Sequence, residues 1–237
     1  ARLMDVLTGG ERYEAALEHD PSAFVVGIPT SYYCDDLSPE IARNYDEAIA
    51  ILRSLGIRLR PVDIPDHSGF ADLADAIWKP EAAALHLATL QSTPDLLAPQ
   101  ARARLTQGLA ASAVDYIRAR QLRSVKLQTM LEGPLSRCDA IVTPALRIAP
   151  PLASEVEADG GEEMRRNLEA ITAFTRPLNF LGLPGLVTPS GVAASGAPLA
   201  IQLIGRPRRE DVLLRLGHAF EEAGHFNRLR PAFLDRA

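Results

Sequence analysis

Residues 175–207, TRPLNFLGLPGLVTPSGVAASGAPLAIQLIGRP, decide how this chain is read. The run Phe180-Leu181-Gly182-Leu183-Pro184-Gly185 ends a helical segment, because Gly182 accepts a positive φ and Pro184 cannot continue a helix. Leu186, Val187 and Thr188 are strand formers, the stretch from Gly191 to Pro198 is small and turn-rich, and Leu199 to Ile204 is apolar except for Gln202. Two such runs about a turn predict an antiparallel hairpin. Gln202 reads either as a solvent-facing or hydrogen-bonded structural residue or as a substrate contact, since a buried amide needs partners.

Working back from the hairpin, Phe24-Val25-Val26-Gly27-Ile28-Pro29 is a nearly continuous apolar run and fits a strand buried on both faces. Ser38 then caps a helix with Pro39 at its first position. Ile41, Tyr45, Ala48, Leu52 and Leu55 follow helical spacing, and Gly56 closes it. Ile57 to Val62 reads as the next strand, so this unit is βαβ with parallel strands and a right-handed crossover. Residues 70–92 and 100–132 are helical in period, broken around Pro94 and Pro99, and form a helical insertion between strands. Ile141-Val142 returns to the sheet, 149–163 is a Pro/Gly/acidic loop, 164–181 is helical, and Asp211 to Ala223 forms a last helix. The fold class is α/β, a mixed β-sheet flanked by helices. Ala1 to Gly9 reads as the end of a helix whose beginning is absent.

At 237 residues with 47% apolar content the chain can bury a sizeable core, and it is one domain or a large part of one. A net charge of −5 gives no general attraction to phosphate backbones, which argues against a nucleic-acid partner. The cluster Arg206, Arg208, Arg209 reads as a solvated turn rather than an anion site, because Glu210 and Asp211 follow and suit the start of the next helix. No apolar run approaches the roughly 20 residues that span a bilayer and no charged-then-apolar leader opens the chain, so no membrane partner is expected. Cys34 and Cys138 lie far apart without CxxC or His partners at ligand spacing, and the five histidines form no metal set; no metal and no cofactor are expected. Reduced cysteines fit a cytoplasmic protein.

Several segments, in order, resemble the amidase signature family. Asn179-Phe180-Leu181-Gly182-Leu183-Pro184 is similar to its N-x-x-G-x-P turn; Thr188-Pro189-Ser190-Gly191, Gly196-Ala197-Pro198 and Gln202-Leu203-Ile204-Gly205-Arg206-Pro207 resemble the strand, entry and Q-L-I-G-x-P exit that follow. Gly27-Ile28-Pro29 through Leu55-Gly56, Ala113-Val114-Asp115-Tyr116 and Cys138-Asp139-Ala140-Ile141-Val142-Thr143-Pro144 resemble three further regions, so the resemblance spans nearly the whole chain. It implies hydrolysis of a carboxamide C–N bond through an acyl-enzyme, with a Ser, cis-Ser, Lys arrangement whose nucleophile lies in a Gly/Ser-rich loop. This sequence has no Ser-Ser pair and no such loop, and its two lysines, Lys79 and Lys126, sit in helical segments where each reads as part of a solvated face. The resemblance therefore implies that residues 1–237 are the C-terminal part of a single amidase-signature domain, with 70–132 as its helical insertion and no catalytic residue in this chain. The serine and lysine would come from a missing N-terminal half, and the isolated chain would be inactive.

Four residues are candidates for substrate binding. Thr143 ends a strand, where open α/β sheets gather ligands; Arg176 and Asn179 stand just before the Gly182 turn, where their polar groups could converge; Tyr116 on the long helix could close a wall. Each has a structural reading beside the functional one. Trp78 reads as a packing anchor or a substrate wall, His86 and His218 as partly buried structural residues, and Asp35-Asp36 as a loop ahead of a helix cap. The expected partners are a small-molecule amide substrate and the missing half of the protein, with a homodimer left open. The rival reading is a non-catalytic split-protein partner or scaffold that binds another polypeptide through an exposed sheet edge. Nucleotide binding on the βαβ unit is disfavoured, since Gly27-Ile28-Pro29 is no glycine-rich phosphate loop.

Overall fold

A computed structural model describes residues 1–156 and 162–228. Two short helices open the chain, α1 (Arg2–Thr8) and α2 (Arg12–Ala16). Asp5 is buried and accepts hydrogen bonds from the backbone N–H groups of Tyr13 at 2.8 Å and Glu14 at 2.7 Å, which supplies acceptors to the free donors at the start of α2. The βαβ unit follows as expected: β1 (Val25–Pro29), α3 (Pro39–Ser54) and β2 (Arg58–Val62), with β1 and β2 parallel. Ser38 caps α3 by accepting from the Ile41 N–H, and Pro39 starts the helix where its missing N–H costs nothing.

The helical insertion comprises α4 (Phe70–Leu85), α5 (Leu87–Ser92), α6 (Pro99–Leu109) and α7 (Ala113–Glu132). Strand β3 (Ala140–Pro144) leads to α8 (Ala153–Val156), α9 (Glu162–Thr172) and α10 (Arg176–Leu181). The expected loop at 149–163 thus holds a short helix and the start of another, while 157–161 lie outside the described residues. The expected helical stretch at 164–181 is two helices separated by the turn Ala173 to Thr175, because Pro177 brings no N–H to an uninterrupted ladder. Gly182 then takes φ 72° and ends α10 in the left-handed conformation.

The hairpin is β4 (Gly185–Val192) and β5 (Pro198–Gly205), antiparallel, with a bulge between Pro189 and Gly191. The first strand therefore runs further than its turn-rich sequence suggested. Asn44 of α3 accounts for this, donating to the Ser190 carbonyl at 2.8 Å and accepting from the Ser190 hydroxyl at 2.5 Å, with all three groups buried. Helix α11 (Glu210–Gly224) completes the order. The sheet runs β2-β1-β3-β5-β4, parallel from β2 to β3 and antiparallel from β3 to β4.

Alternation along the central strands divides the core between the two sheet faces. Ile141 and Ile204 pack with Tyr33, Phe70, Met130 and Phe174 on the face covered by the insertion and α10. Val142 and Leu203 pack with Tyr45, Leu52, Leu216 and Phe220 on the face covered by α3 and α11. The Tyr45 hydroxyl donates to the Val142 carbonyl at 2.9 Å, so α3 is tied to the sheet by a polar contact inside an apolar layer.

Candidate functional site

Helix α10 and the insertion helices enclose a cavity of about 940 Å³. Its walls come from α4 through Asp75, Trp78 and Lys79, from α6 through Arg104 and Gln107, from α7 through Arg123, and from α9 and α10. Close approach of α4 and α6 is set by Gly108. A Cβ at that position would lie 2.2 Å from the Lys79 carbonyl oxygen, so only glycine lets the helices come this near.

Arg176 and Asn179 both line this cavity, one turn apart on α10. Their placement begins in the sheet. Thr143 and Gln202 are cross-strand partners on β3 and β5, both buried, and the Gln202 amide donates to the Thr143 hydroxyl at 3.2 Å and to the Phe174 carbonyl at 3.1 Å. The Phe174 carbonyl belongs to the turn from which Arg176 emerges, so the amide fixes where α10 starts. Gln202 is thus the hydrogen-bonded structural residue of its two readings. Thr143 itself is fully buried, donates to the Pro144 carbonyl at 2.9 Å and is not among the cavity's lining residues. Tyr116 is half-buried, donates to Glu81 at 2.9 Å and accepts from Arg120 at 2.9 Å, and it also stands off the lining.

Sequence patterns gave no sign of how several other residues line the cavity. Lys79 is not on a solvated face: its ammonium contacts Asp75 at 2.7 Å and Gln107 at 2.8 Å with the side chain 21% exposed. Trp78 takes the wall reading of the two that its sequence offered: it lines the cavity and donates to Asp75 at 2.8 Å. Lys126 lies 5.7 Å over the Phe70 ring, against the core rather than in open water. His86 and His218 are exposed, not partly buried. The wall carries Lys79, Arg104, Arg123 and Arg176 against Asp75 and Glu169, an excess of positive charge in a chain of net charge −5. Among the described residues no three His, Cys, Asp or Glu side chains could hold a metal ion, and Cys34 and Cys138 are free thiols. Burial pushes the Cys138 thiol up to about 11, which keeps it protonated at neutral pH.

His67, which no sequence pattern singled out, is 4% exposed with neither ring nitrogen hydrogen-bonded. Burial holds its pKa down at about 4, against a weaker opposing pull from the backbone of Asp66 and Pro65. It stacks on Phe70 with ring centroids 4.5 Å apart and lies 4.9 Å from the Tyr32 ring.

A mixed sheet with helices on both faces and a cavity between the insertion and α10 defines an α/β protein with a helix-walled site. The profile of the Amidase family matches residues 5–214, and the chain belongs to that family. It is 31% identical over 209 residues to an amidase of Pseudomonas putida, covering 88% of this chain and 44% of that protein. It is 28% identical over 235 residues to a glutamyl-tRNA(Gln) amidotransferase subunit of Bartonella henselae, covering 89% of this chain and 47% of that protein. A crystal structure of an amidase superposes with a TM-score of 0.77 at 29% identity, over 93% of this chain and 49% of that one. The chain spans about half the length of the relatives it matches.

Proposed function

We propose that this chain supplies one side of the substrate pocket, and much of the sheet, of an amidase that hydrolyses a carboxamide C–N bond through a serine acyl-enzyme. The observation that carries the reading is the joint placement of Arg176 and Asn179 on the 940 Å³ cavity of a chain in the Amidase family. In such chemistry a deprotonated serine attacks the amide carbon and N–H donors hold the developing oxyanion. The serine and lysine are assigned to a polypeptide portion outside these residues. Arg176, Asn179 and the walls of α4 and α6 then bind and orient the amide, with Thr143 acting through Gln202 and Tyr116 through its contacts to Glu81 and Arg120. The test is turnover by the purified 237-residue chain on simple aryl and aliphatic amides. No hydrolysis is expected; robust hydrolysis that a serine-directed reagent abolishes would overturn the assignment.

A second reading, a non-catalytic partner that binds another polypeptide, is favoured by one observation. β4 closes the sheet at one end, and its eight residues carry no charge while Val187 and Val192 are 53% and 52% exposed. Such an edge recruits a strand.

A further inference from the structure

Arg176 and Glu169 line not only the main cavity but also a second cleft of about 410 Å³, whose other walls include Tyr32, His67, Arg147 and Arg166. We propose that this cleft is a binding site for an oxyanion, a carboxylate or phosphate group, held by the guanidinium groups of Arg147, Arg166 and Arg176 above the rings of Tyr32 and His67.

The charge pattern is the first argument. Three arginines share one small cleft in a chain whose net charge is −5, so the cluster is not a background of composition. Among the described residues the one carboxylate on its lining is Glu169. Three positive groups converging with so little compensation repel one another, and an anion placed among them removes that cost.

The second argument is a set of closed-off polar atoms without partners. Both nitrogens of His67 and the Nε of Arg147 are shut from solvent and make no hydrogen bond among the described residues. Buried donors are nearly always matched, and an orphan in a folded protein points to a group that belongs beside it. Arg147 is held in place by its guanidinium lying 5.3 Å over the Phe174 ring, and Tyr32 by its hydroxyl donating to the Ala173 carbonyl at 2.8 Å. Arg147 and Tyr32 are therefore fixed before a ligand arrives. The imidazole is neutral, so it offers an N–H to an anion without adding a charge that must be buried. The phenol of Tyr32 feels both Arg147 and Arg176, which oppose the rise that burial gives its pKa.

Two sources fit this chemistry. Because Arg176 borders both spaces, an amide substrate seated in the main cavity could extend its own carboxylate into the cleft, an outcome that rests on the amidase reading. A separate small anion could fill it without any such link. Calorimetric titration of the purified 237-residue chain at low salt distinguishes them, using acetate, inorganic phosphate, succinamate and the neutral diamide succinamide. Saturable binding of at least one anion is expected, weakened about tenfold or more in Arg147→Gln and in the exposed-residue variant Arg166→Gln, with helical circular dichroism unchanged. The His67 ring signals in NMR, assigned with His67→Gln, are expected to move on binding. Succinamate at least tenfold tighter than acetate and phosphate assigns the anion to the substrate; equal or tighter acetate or phosphate assigns it to a separate ion. Succinamide that fails to bind while the anions do counts against the amide pocket and leaves the anion site standing. No saturable binding of any anion, or wild-type affinity in both arginine variants with unmoved His67 signals, overturns the proposal.

Discussion

Gln202 and Arg176 sit one contact apart and are expected to fail differently when changed. Gln202→Leu removes both donated hydrogen bonds, taking the Gln202 donor from the buried Phe174 carbonyl and leaving the Thr143 hydroxyl with its bond to the Pro144 carbonyl, at a cost of about 1–3 kcal/mol in urea unfolding. Arg176→Ala empties a half-buried side chain from a cavity wall, and in an assembled amidase it is expected to raise KM more than it lowers thermal stability. Equal losses of both, or of neither, would remove Arg176 from the pocket. His67 gives a prediction in pH. Its folded pKa is held near 4 and its unfolded value is about 6.5, so the unfolded chain binds the extra proton first as pH falls. The stability it confers is complete above about pH 6.5 and drains away toward pH 4, a loss on the order of 2–4 kcal/mol. A His67→Phe chain should lack that share of the acid slope in pH-dependent unfolding. A slope identical to the parent's would show that other groups carry it.

Helices and strands in this chain were legible wherever local chemistry punctuates them. Ser38-Pro39 announces α3, and Gly182 with Pro184 announces both the end of α10 and the hairpin beyond it. α8 and the split between α9 and α10 were not legible, since Pro177 permits either a helix start or a kink and only the anchoring of Phe174 by Gln202 selects the start. The cavity was half legible. Arg176 and Asn179 stand beside a recognisable turn, whereas Lys79, Trp78 and Arg104 become neighbours only when α4 packs on α6, a contact that no spacing along the chain encodes. Gly108 is the residue through which that packing is set. Gly108→Ala would push a methyl group against the Lys79 carbonyl and force the helices apart, costing about 1–3 kcal/mol and loosening the cavity wall. Thermal unfolding together with fluorescence of Trp78, the chain's single tryptophan, would detect both effects. An unshifted spectrum at unchanged stability would mean that the helices tolerate the wider spacing.

Across the whole molecule the two ends of the sheet differ in kind. β2 carries Arg58, Arg60 and Pro61, and the proline has no N–H to offer a neighbour, so that end resists further pairing. β4 carries no charged residue, and its proline, Pro189, lies beside the bulge, so the stretch open to pairing is Gly185 to Thr188. Size-exclusion chromatography with mass detection is expected to show the purified chain associating with itself or with an added complementary polypeptide, and Val187→Lys should shift it toward the monomer. A parent chain that elutes as a clean monomer without binding a hydrophobic dye would weaken the strand-recruitment reading.

The lack of ionisable groups along β4 also governs how the protein would behave in a test tube. Clumping that starts from a rim of backbone amides and valines has no charge for buffer ions to screen and no proton to release. Raising sodium chloride or moving the pH a little should therefore do little to redissolve a cloudy preparation, whereas dilution or a modest dose of urea should clear it.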